Sequence, residues 1–267
     1  MSQGARTLDV VREDGVVTAT INRPEKKNAL DTATFAALQT VLREVESSDD
    51  DRVLVITGAG GDFCSGADLS AASDPNEHPL DRMRRIHDVA LSLHRMSVPT
   101  IAKVPGVAVG AGWNLALGCD LVLAAENARF SQIFAKRGLS LDFGGSWLLP
   151  RLVGLHRAKE LALFAGMVSA QEALELGLVN RVVGVDELDE VTDSWARALA
   201  EGPPVALSQS KRLLNDALQV TLEQALDAES HAQVANFATA DTAEAFAAFM
   251  DRREPTFTGR SALGGPR

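Results

Sequence analysis

Residues 103–150, KVPGVAVGAGWNLALGCDLVLAAENARFSQIFAKRGLSLDFGGSWLLP, constrain what this chain can fold into more than any other stretch. A β-like apolar run over residues 100–104 enters a turn at Pro105-Gly106, and a second turn, Gly110-Ala111-Gly112, opens a helical run over residues 113–117. The first turn of a helix has unsatisfied N–H donors and a partial positive charge, so such a turn can hold an anionic oxygen against the main chain. Small residues keep that approach open. A second segment has the same form: Gly58-Ala59-Gly60-Gly61-Asp62-Phe63-Cys64-Ser65-Gly66-Ala67-Asp68-Leu69 follows a buried-strand pattern over residues 52–57. A single Gly-rich turn often does no more than satisfy backbone geometry. Two strand-end turns with free amides can face one oxygen.

The rest of the chain alternates strand and helix patterns, which predicts an α/β fold. Residues 8–12 and 16–21 are β-branched runs around Glu13-Asp14-Gly15, a predicted hairpin. A polar loop, Asn22-Arg23-Pro24-Glu25-Lys26-Lys27-Asn28, leads to a helix over residues 33–46. Asp31 or Thr32 can cap it, and Phe35, Leu38, Val41, Leu42 and Val45 recur at helical spacing. Residues 70–79 are rich in turn formers and read as a mobile segment, followed by a helix over 80–96 with Met83, Ile86, Ala90, Leu91 and Leu93 on one face. His87 and His94 on that helix read as surface or packing histidines. Further helices are predicted over 157–165, 170–176 and 186–200, with a short extended run over 178–183. From residue 203 to 253 the pattern is almost wholly helical, with turns near Asn215-Asp216 and Ala238-Thr239. The chain therefore divides into a core over residues 1–200 and a C-terminal helical appendage over 201–267.

Composition excludes several classes of function. With 46% hydrophobic content the chain can furnish a sizeable core, and a net charge of −10 without a long basic run argues against nucleic-acid binding. Cys64 and Cys119 are the only cysteines, so neither a disulfide framework nor a zinc site is expected, and no metal ligand set is predicted. The N-terminal residues lack an apolar signal core and no run reaches the length of a membrane span, so the expected location is cytoplasmic. Asp142-Phe143-Gly144 lacks the companion kinase motifs, and Ser208-x-x-Lys211 lacks its own companions. Phe63 stands where a dinucleotide fingerprint needs glycine, and no phosphate-binding Gly-Lys loop is present. No redox cofactor is implied.

Four pieces together resemble the enoyl-CoA hydratase/isomerase (crotonase) family. They are Asn22-Arg23-Pro24 with Asn28-Ala29-Leu30, the run Phe63 to Leu69, the run Gly106 to Asp120, and Gly144-Gly145-Ser146 with Leu149-Pro150-Arg151-Leu152-Val153-Gly154. They occur in the family's order and cover most of the chain. The resemblance implies a crotonase-like ββα superhelix whose C-terminal helices pack into a trimer interface, two trimers commonly stacking. It implies an acyl-CoA thioester as substrate, with coenzyme A bound as part of it and no tightly held cofactor. The Arg-Pro loop would lie beside the nucleotide end, where Lys26 and Lys27 can meet phosphates or simply be solvated. Ala29, Ser65, Gly66, Ala67, Asp68, Leu69, Gly110 and Ala111 would line the rest of the coenzyme A path. Asp68 could carry charged chemistry, and a helix-start cap or the partner of a nearby cation is the plainer reading. The tail Phe257-Thr258-Gly259-Arg260 resembles the family's end motif, which approaches a neighbouring subunit's coenzyme A, although an ordinary frayed tail has the same composition.

A thioester that loses an α-proton or undergoes conjugate addition becomes an enolate, and two fixed backbone donors can hold its oxygen without reorganising. By resemblance those donors are the amides of Ser65 and Ala111. Ser65 is not read as a nucleophile, because no histidine stands in a supporting arrangement. The family's best-known hydratases use two glutamates, and here those positions fall on Asn114 and Phe134. Neither exchanges a proton near neutral pH. Asp142 stands where some isomerases of the family carry a proton-shuttling aspartate, and Leu141, Phe143, Trp147 and Leu148 can desolvate it and raise its pKa. A cap or loop carboxylate is the plainer reading of the same residue. The expected chemistry is enoyl-CoA isomerisation with Asp142 as acid/base and Asn114 orienting a water or the thioester; hydration of a 2-enoyl-CoA and non-catalytic acyl-CoA binding are the alternatives.

Overall fold

The computed structural model describes residues 7–70 and 77–262, so most of the segment read as mobile, residues 71–76, lies outside the described residues. The hairpin forms as β1 (Leu8–Glu13) and β2 (Val16–Ile21), paired antiparallel from Leu8↔Ile21 to Glu13↔Val16. Asp14 and Gly15 both have positive φ (48° and 79°), the pairing that gives a two-residue turn the twist of its strands. Helix α1 (Thr32–Ser47) is capped by Asp31, whose carboxylate accepts from the Thr34 amide at 2.8 Å, and its predicted apolar stripe is buried.

Among the described residues nine strands make two sheets. The larger one has the order β1-β2-β3-β4-β6-β9, where β3 is Val53–Gly58, β4 Thr100–Val104, β6 Leu121–Ala125 and β9 Arg181–Val183. Every pairing beyond the hairpin is parallel. Strand β3 is apolar on both faces because both are covered. Leu54 and Ile56 face α1, and Val53 and Val55 face α6 (Leu188–Ala200) through Leu188 and Ala196. The smaller sheet, β5 (Val107–Val109), β7 (Arg129–Ser131) and β8 (Val168–Ser169), is joined by Cys64 through a bridge to Ala108.

The chain thus crosses from the large sheet to the small one three times in succession, after β3, β4 and β6, and two of the crossings are the glycine turns read from sequence. The turns touch: a Cβ on Gly106 would lie 2.2 Å from the Gly61 carbonyl oxygen, so glycine is required there. After the second crossing comes α3 (Ala111–Leu117), all seven residues buried, and after the third α4 (Gly145–Phe164). This is the repeated ββα architecture that the resemblance implied.

Helix α2 (Pro79–Arg95) buries Ile86, Val89 and Leu93, whereas Leu91, expected on its apolar face, is exposed. Helix α4 begins twelve residues before the predicted 157–165 segment, carries Pro150 within it, and changes direction at Gly154 (φ 74°, ψ 164°). Helix α5 (Ala170–Glu175) follows β8 under a Ser169–Glu172 capping box. The appendage is α7 (Pro204–Asp216), α8 (Leu222–Phe237) and α9 (Ala240–Asp251), which bury few side chains in this chain and leave Phe237, Phe246, Phe249 and Met250 exposed. The tail is not frayed over residues 258–261: buried Asp241 accepts from the amides of Thr258 (2.7 Å) and Gly259 (2.8 Å), and Thr239 bridges Ser261. Among the described residues no helix is long and apolar enough to cross a membrane.

Candidate active site

Hydrogen bonds along residues 63–68 decide which amides are free. Cys64 faces β5, donating to the Val107 carbonyl and accepting from the Val109 amide, both at 2.9 Å. The next amide, that of Ser65, points the opposite way and donates to the Lys27 carbonyl at 3.0 Å. A regular strand would turn the amide of residue 67 to that same side. Gly66, with φ 95°, breaks the alternation. Its carbonyl accepts from Leu30 at 2.8 Å, Asp68 donates back to Leu30 at 2.9 Å, and the amide of Ala67 between them faces away from the loop, with no acceptor among the described residues.

Gly66, the residue before that free amide, lies against the start of α3. A Cβ on Gly66 would lie 2.8 Å from the Val109 carbonyl and 3.5 Å from the Ala111 nitrogen, and one on Gly112 would lie 2.3 Å from the Cys64 carbonyl. Ala111 is the first residue of α3, so its amide has no acceptor within the helix. Ala67 and Ala111 thus carry open donors on the two sides of this junction. The expectation for Ser65 is corrected: its amide is spent on Lys27 and its hydroxyl donates to the Lys26 carbonyl at 3.1 Å.

The loop facing this turn is held by Asn28, fully buried, which accepts from the Arg23 amide (3.0 Å) and donates to the carbonyls of Ala59 (2.8 Å) and Asp62 (2.7 Å). Lys27 and Asn28 both have positive φ, which aims the Lys26 and Lys27 carbonyls at Ser65. Arg23 ties the loop to the turn by an ion pair with Asp68 at 2.9 Å, a second contact to Asp31 at 3.4 Å and a hydrogen bond to the Ala29 carbonyl. The Ser70 hydroxyl and Arg23 hold the Asp68 carboxyl well below the usual carboxylate range, so Asp68 is the partner of a cation. Lys26 reaches Ser70 (2.9 Å) and Lys27 reaches Asp62 (3.4 Å), the Lys27 side chain 62% exposed and able to turn toward an incoming anion. Leu69 is exposed beside them.

Asp142 sits in the loop before α4, where Phe143 (φ 47°) and Gly144 (φ 82°) turn the chain. Gly144 is the N-terminal cap position of α4 and no side chain caps it, so Asp142 is not a cap. Its Oδ1 is buried without a hydrogen-bond partner, and burial alone pushes its pKa from 3.8 to about 6. Asp142 lines a cavity of about 850 Å3, together with Leu141, Phe143, Trp147 and Leu148 on its own side and residues of α2 and α7 opposite. Neither Ala67 nor Ala111 lines that cavity. The two places are connected through Asn114, one turn after Ala111 in α3, whose Nδ2 donates to the Asp142 carbonyl at 2.9 Å.

Asn114 does not orient water or thioester, which corrects the second expectation. It is fully buried, and its Oδ1 is occupied by Gln132 Nε2 at 2.8 Å. Phe134, at the other hydratase glutamate position, is buried beside Gly110, where an added Cβ would lie 3.6 Å from its ring. Gly110 itself donates to the Ser131 carbonyl at 2.8 Å, fixing the entry to α3. His94 packs edge-on against Trp147 at 5.2 Å, and burial followed by the Lys211 charge lowers its pKa, so it is a neutral packing histidine. Among the described residues no group of three or more His, Cys, Asp and Glu side chains is placed to hold a metal ion.

Sequence reasoning placed Ala67 on the coenzyme A path but not as the open donor, and it missed Gln132. For Ala67 the signal was the glycine before it, since a sense reversal at residue 66 moves the open donor one residue past it. For Gln132 there was none, as its partner is eighteen residues away.

Residues 11–260 match a family model described as enoyl-CoA hydratase/isomerase. The chain is 39% identical to the 1,2-epoxyphenylacetyl-CoA isomerase of Escherichia coli K12, over 93% of this chain and 97% of that protein. It is 36% identical to the short-chain-enoyl-CoA hydratase of Clostridium acetobutylicum, over 91% and 94%. The crystal structure of an enoyl-CoA hydratase from Bacillus anthracis superposes with a TM-score of 0.91 at 33% identity, covering 95% of this chain and all of that one.

Proposed function

Because the chain belongs to the enoyl-CoA hydratase/isomerase family, we propose that it moves a double bond in an acyl-CoA through a thioester enolate, with Asp142 as the single acid/base. The observation that carries this reading is the buried, unpartnered Asp142 oxygen on a cavity wall, with a pKa near 6 while the two hydratase positions hold a committed amide and a phenyl ring. Ionised Asp142 removes an α-proton from a 3-enoyl thioester, and the electron pair moves onto the thioester oxygen. The amides of Ala67 and Ala111 hold that oxygen, which is the electrostatic task fixed backbone donors perform best. Asp142 then returns the proton at the γ-carbon, giving the 2-enoyl product. Lys26, Lys27 and Ala29 on the loop, Ser65 to Leu69 on the turn, and Gly110 shape the coenzyme A path; the coenzyme arrives and leaves as part of the substrate. The exposed apolar side chains of α8 and α9 support self-association through the appendage, as a trimer or a pair of trimers, which light scattering on the eluting protein tests.

Hydration remains the second reading, supported by relatives whose names carry that activity. Incubation with 2-enoyl-, 3-enoyl- and 1,2-epoxyphenylacetyl-CoA, following double-bond migration, hydroxyacyl product and binding heat, separates the readings. Isomerised product that disappears in Asp142→Asn, with acyl-CoA affinity retained, is the expected result. Hydroxyacyl product alone would establish the hydratase, and saturable binding without product a silent binder.

A further inference from the structure

We propose that Gln132 and Asn114 form a positioning pair that sets the Asp142 loop, and that a carboxamide at residue 114 is what permits a working acid at residue 142. The proposal rests on the isomerase reading and assigns a role to two residues that do not touch substrate.

Three separate parts of the fold meet at one side chain. Gln132 follows β7, Asn114 lies in α3, and Asp142 precedes α4; Gln132 and Asn114 are both fully buried. Gln132 Nε2 donates to Asn114 Oδ1 at 2.8 Å, which fixes the orientation of the Asn114 amide. Its Nδ2 must then face the Asp142 carbonyl, and it does, at 2.9 Å. A Cβ on Gly145 would lie 2.4 Å from Nδ2, so the start of α4 rests directly on the amide. The Asp142 main chain is pinned from one side while its Oδ1 stays buried and unpartnered.

Only a group with an acceptor on one side and a donor on the other fits this place. A carboxylate at residue 114 would set two acceptors against each other across the 2.9 Å contact to the Asp142 carbonyl and bring a second anion near Asp142. The acid of the hydratase position and the acid at residue 142 are therefore alternatives, and the amide serves the second. The other ionisable groups on the cavity wall are His87, His94 and Arg95 from α2 and Lys211, Arg212 and Asp216 from α7. None of them contributes to the displaced proton affinity of Asp142, which burial alone produces.

The test uses Asn114→Ala, Gln132→Ala and the double variant in the full-length protein, with the Asp142 carboxyl titrated by 13C NMR on aspartate-labelled samples and assigned by its loss in Asp142→Asn. In Asn114→Ala the titration is expected to fall from about 6 toward 3.8 as the loop relaxes into water. Where the isomerase reading holds, kcat falls roughly tenfold or more with KM within about twofold, and the acid limb of the kcat profile moves with the titration. The double variant is expected to be no worse than Asn114→Ala, because Gln132 acts through Asn114. Gln132→Ala, the milder change, decides the matter by the same readouts if Asn114→Ala does not fold. An unmoved Asp142 titration in a folded variant, or additive losses in the double variant, overturns the proposal. A titration that moves in a protein whose turnover survives Asp142→Asn would instead retain the clamp and discard Asp142 as acid/base.

Discussion

Asp142→Asn should raise the stability of the protein while removing its turnover, and the rise should depend on pH. Burial moves the carboxyl from 3.8 to about 6, so above pH 6 the folded chain holds an anion that the unfolded chain holds more readily. One pH unit of displacement is about 1.4 kcal/mol, which puts the upper bound at about 3 kcal/mol. The residue is partly exposed, and solvent screening reduces the figure to about 1–3 kcal/mol. The sign follows from the direction of the shift: protonated Asp142 stabilises the fold below pH 4, and that contribution is lost as pH rises through about 6. A neutral asparagine loses nothing over the same interval. For a chain of this size 1 kcal/mol corresponds to roughly 2–4 °C, so the variant should melt about 2–12 °C higher at pH 8 and at nearly the same temperature at pH 4. Calorimetry at both pH values and one protein concentration measures it. A variant that melts lower at pH 8, or a difference independent of pH, would refute the assignment of Asp142 as a buried, unpaired acid.

Three further outcomes are expected. The kcat of the wild-type protein should rise with pH to half its plateau near 6, since the base must be ionised; a limb near 4 would show Asp142 to be solvated in the complex. Gly66→Ala places a Cβ 2.8 Å from the Val109 carbonyl at a residue with φ 95° and should cost about 1–3 kcal/mol in urea titration, with kcat reduced as the Ala67 amide turns away. Ser65→Ala removes one hydrogen bond to the Lys26 carbonyl and should cost about 1 kcal/mol while leaving kcat within a few-fold, whereas a nucleophilic serine would lose activity altogether.

The elements that sequence made legible are those whose cause is local. The hairpin around Asp14-Gly15, the Asp31-capped helix, the strand Thr100–Val104 and the desolvation of Asp142 by its apolar neighbours all follow from residue types a few positions apart. The first half of α4, which contains Pro150 and Gly154, was not predicted; the fully buried Leu149 anchors that half and the change of direction is absorbed at Gly154. Leu91 fell on the expected face of α2 by period, but the partner surface takes Val89 instead. The exchange of Ser65 for Ala67 had a different origin. The family resemblance put a main-chain donor near Gly66, whereas the direction of each donor depends on hydrogen bonds to residues 27, 30 and 107, far away in sequence. The commitment of Asn114 was likewise invisible, because an asparagine's role is set by whatever occupies its two ends.

Asn28 bears on how the molecule can be cut and joined. One amide side chain binds Arg23 on its own loop and the carbonyls of Ala59 and Asp62 on the next crossing, and the same loop supplies the acceptors for Ser65 and Asp68. Residues 23–30 are thus part of the floor beneath the candidate site. A circular permutation with new ends between residues 22 and 30 would untie that floor, while one at the junction of α7 and α8, remote from these bonds, would leave it whole.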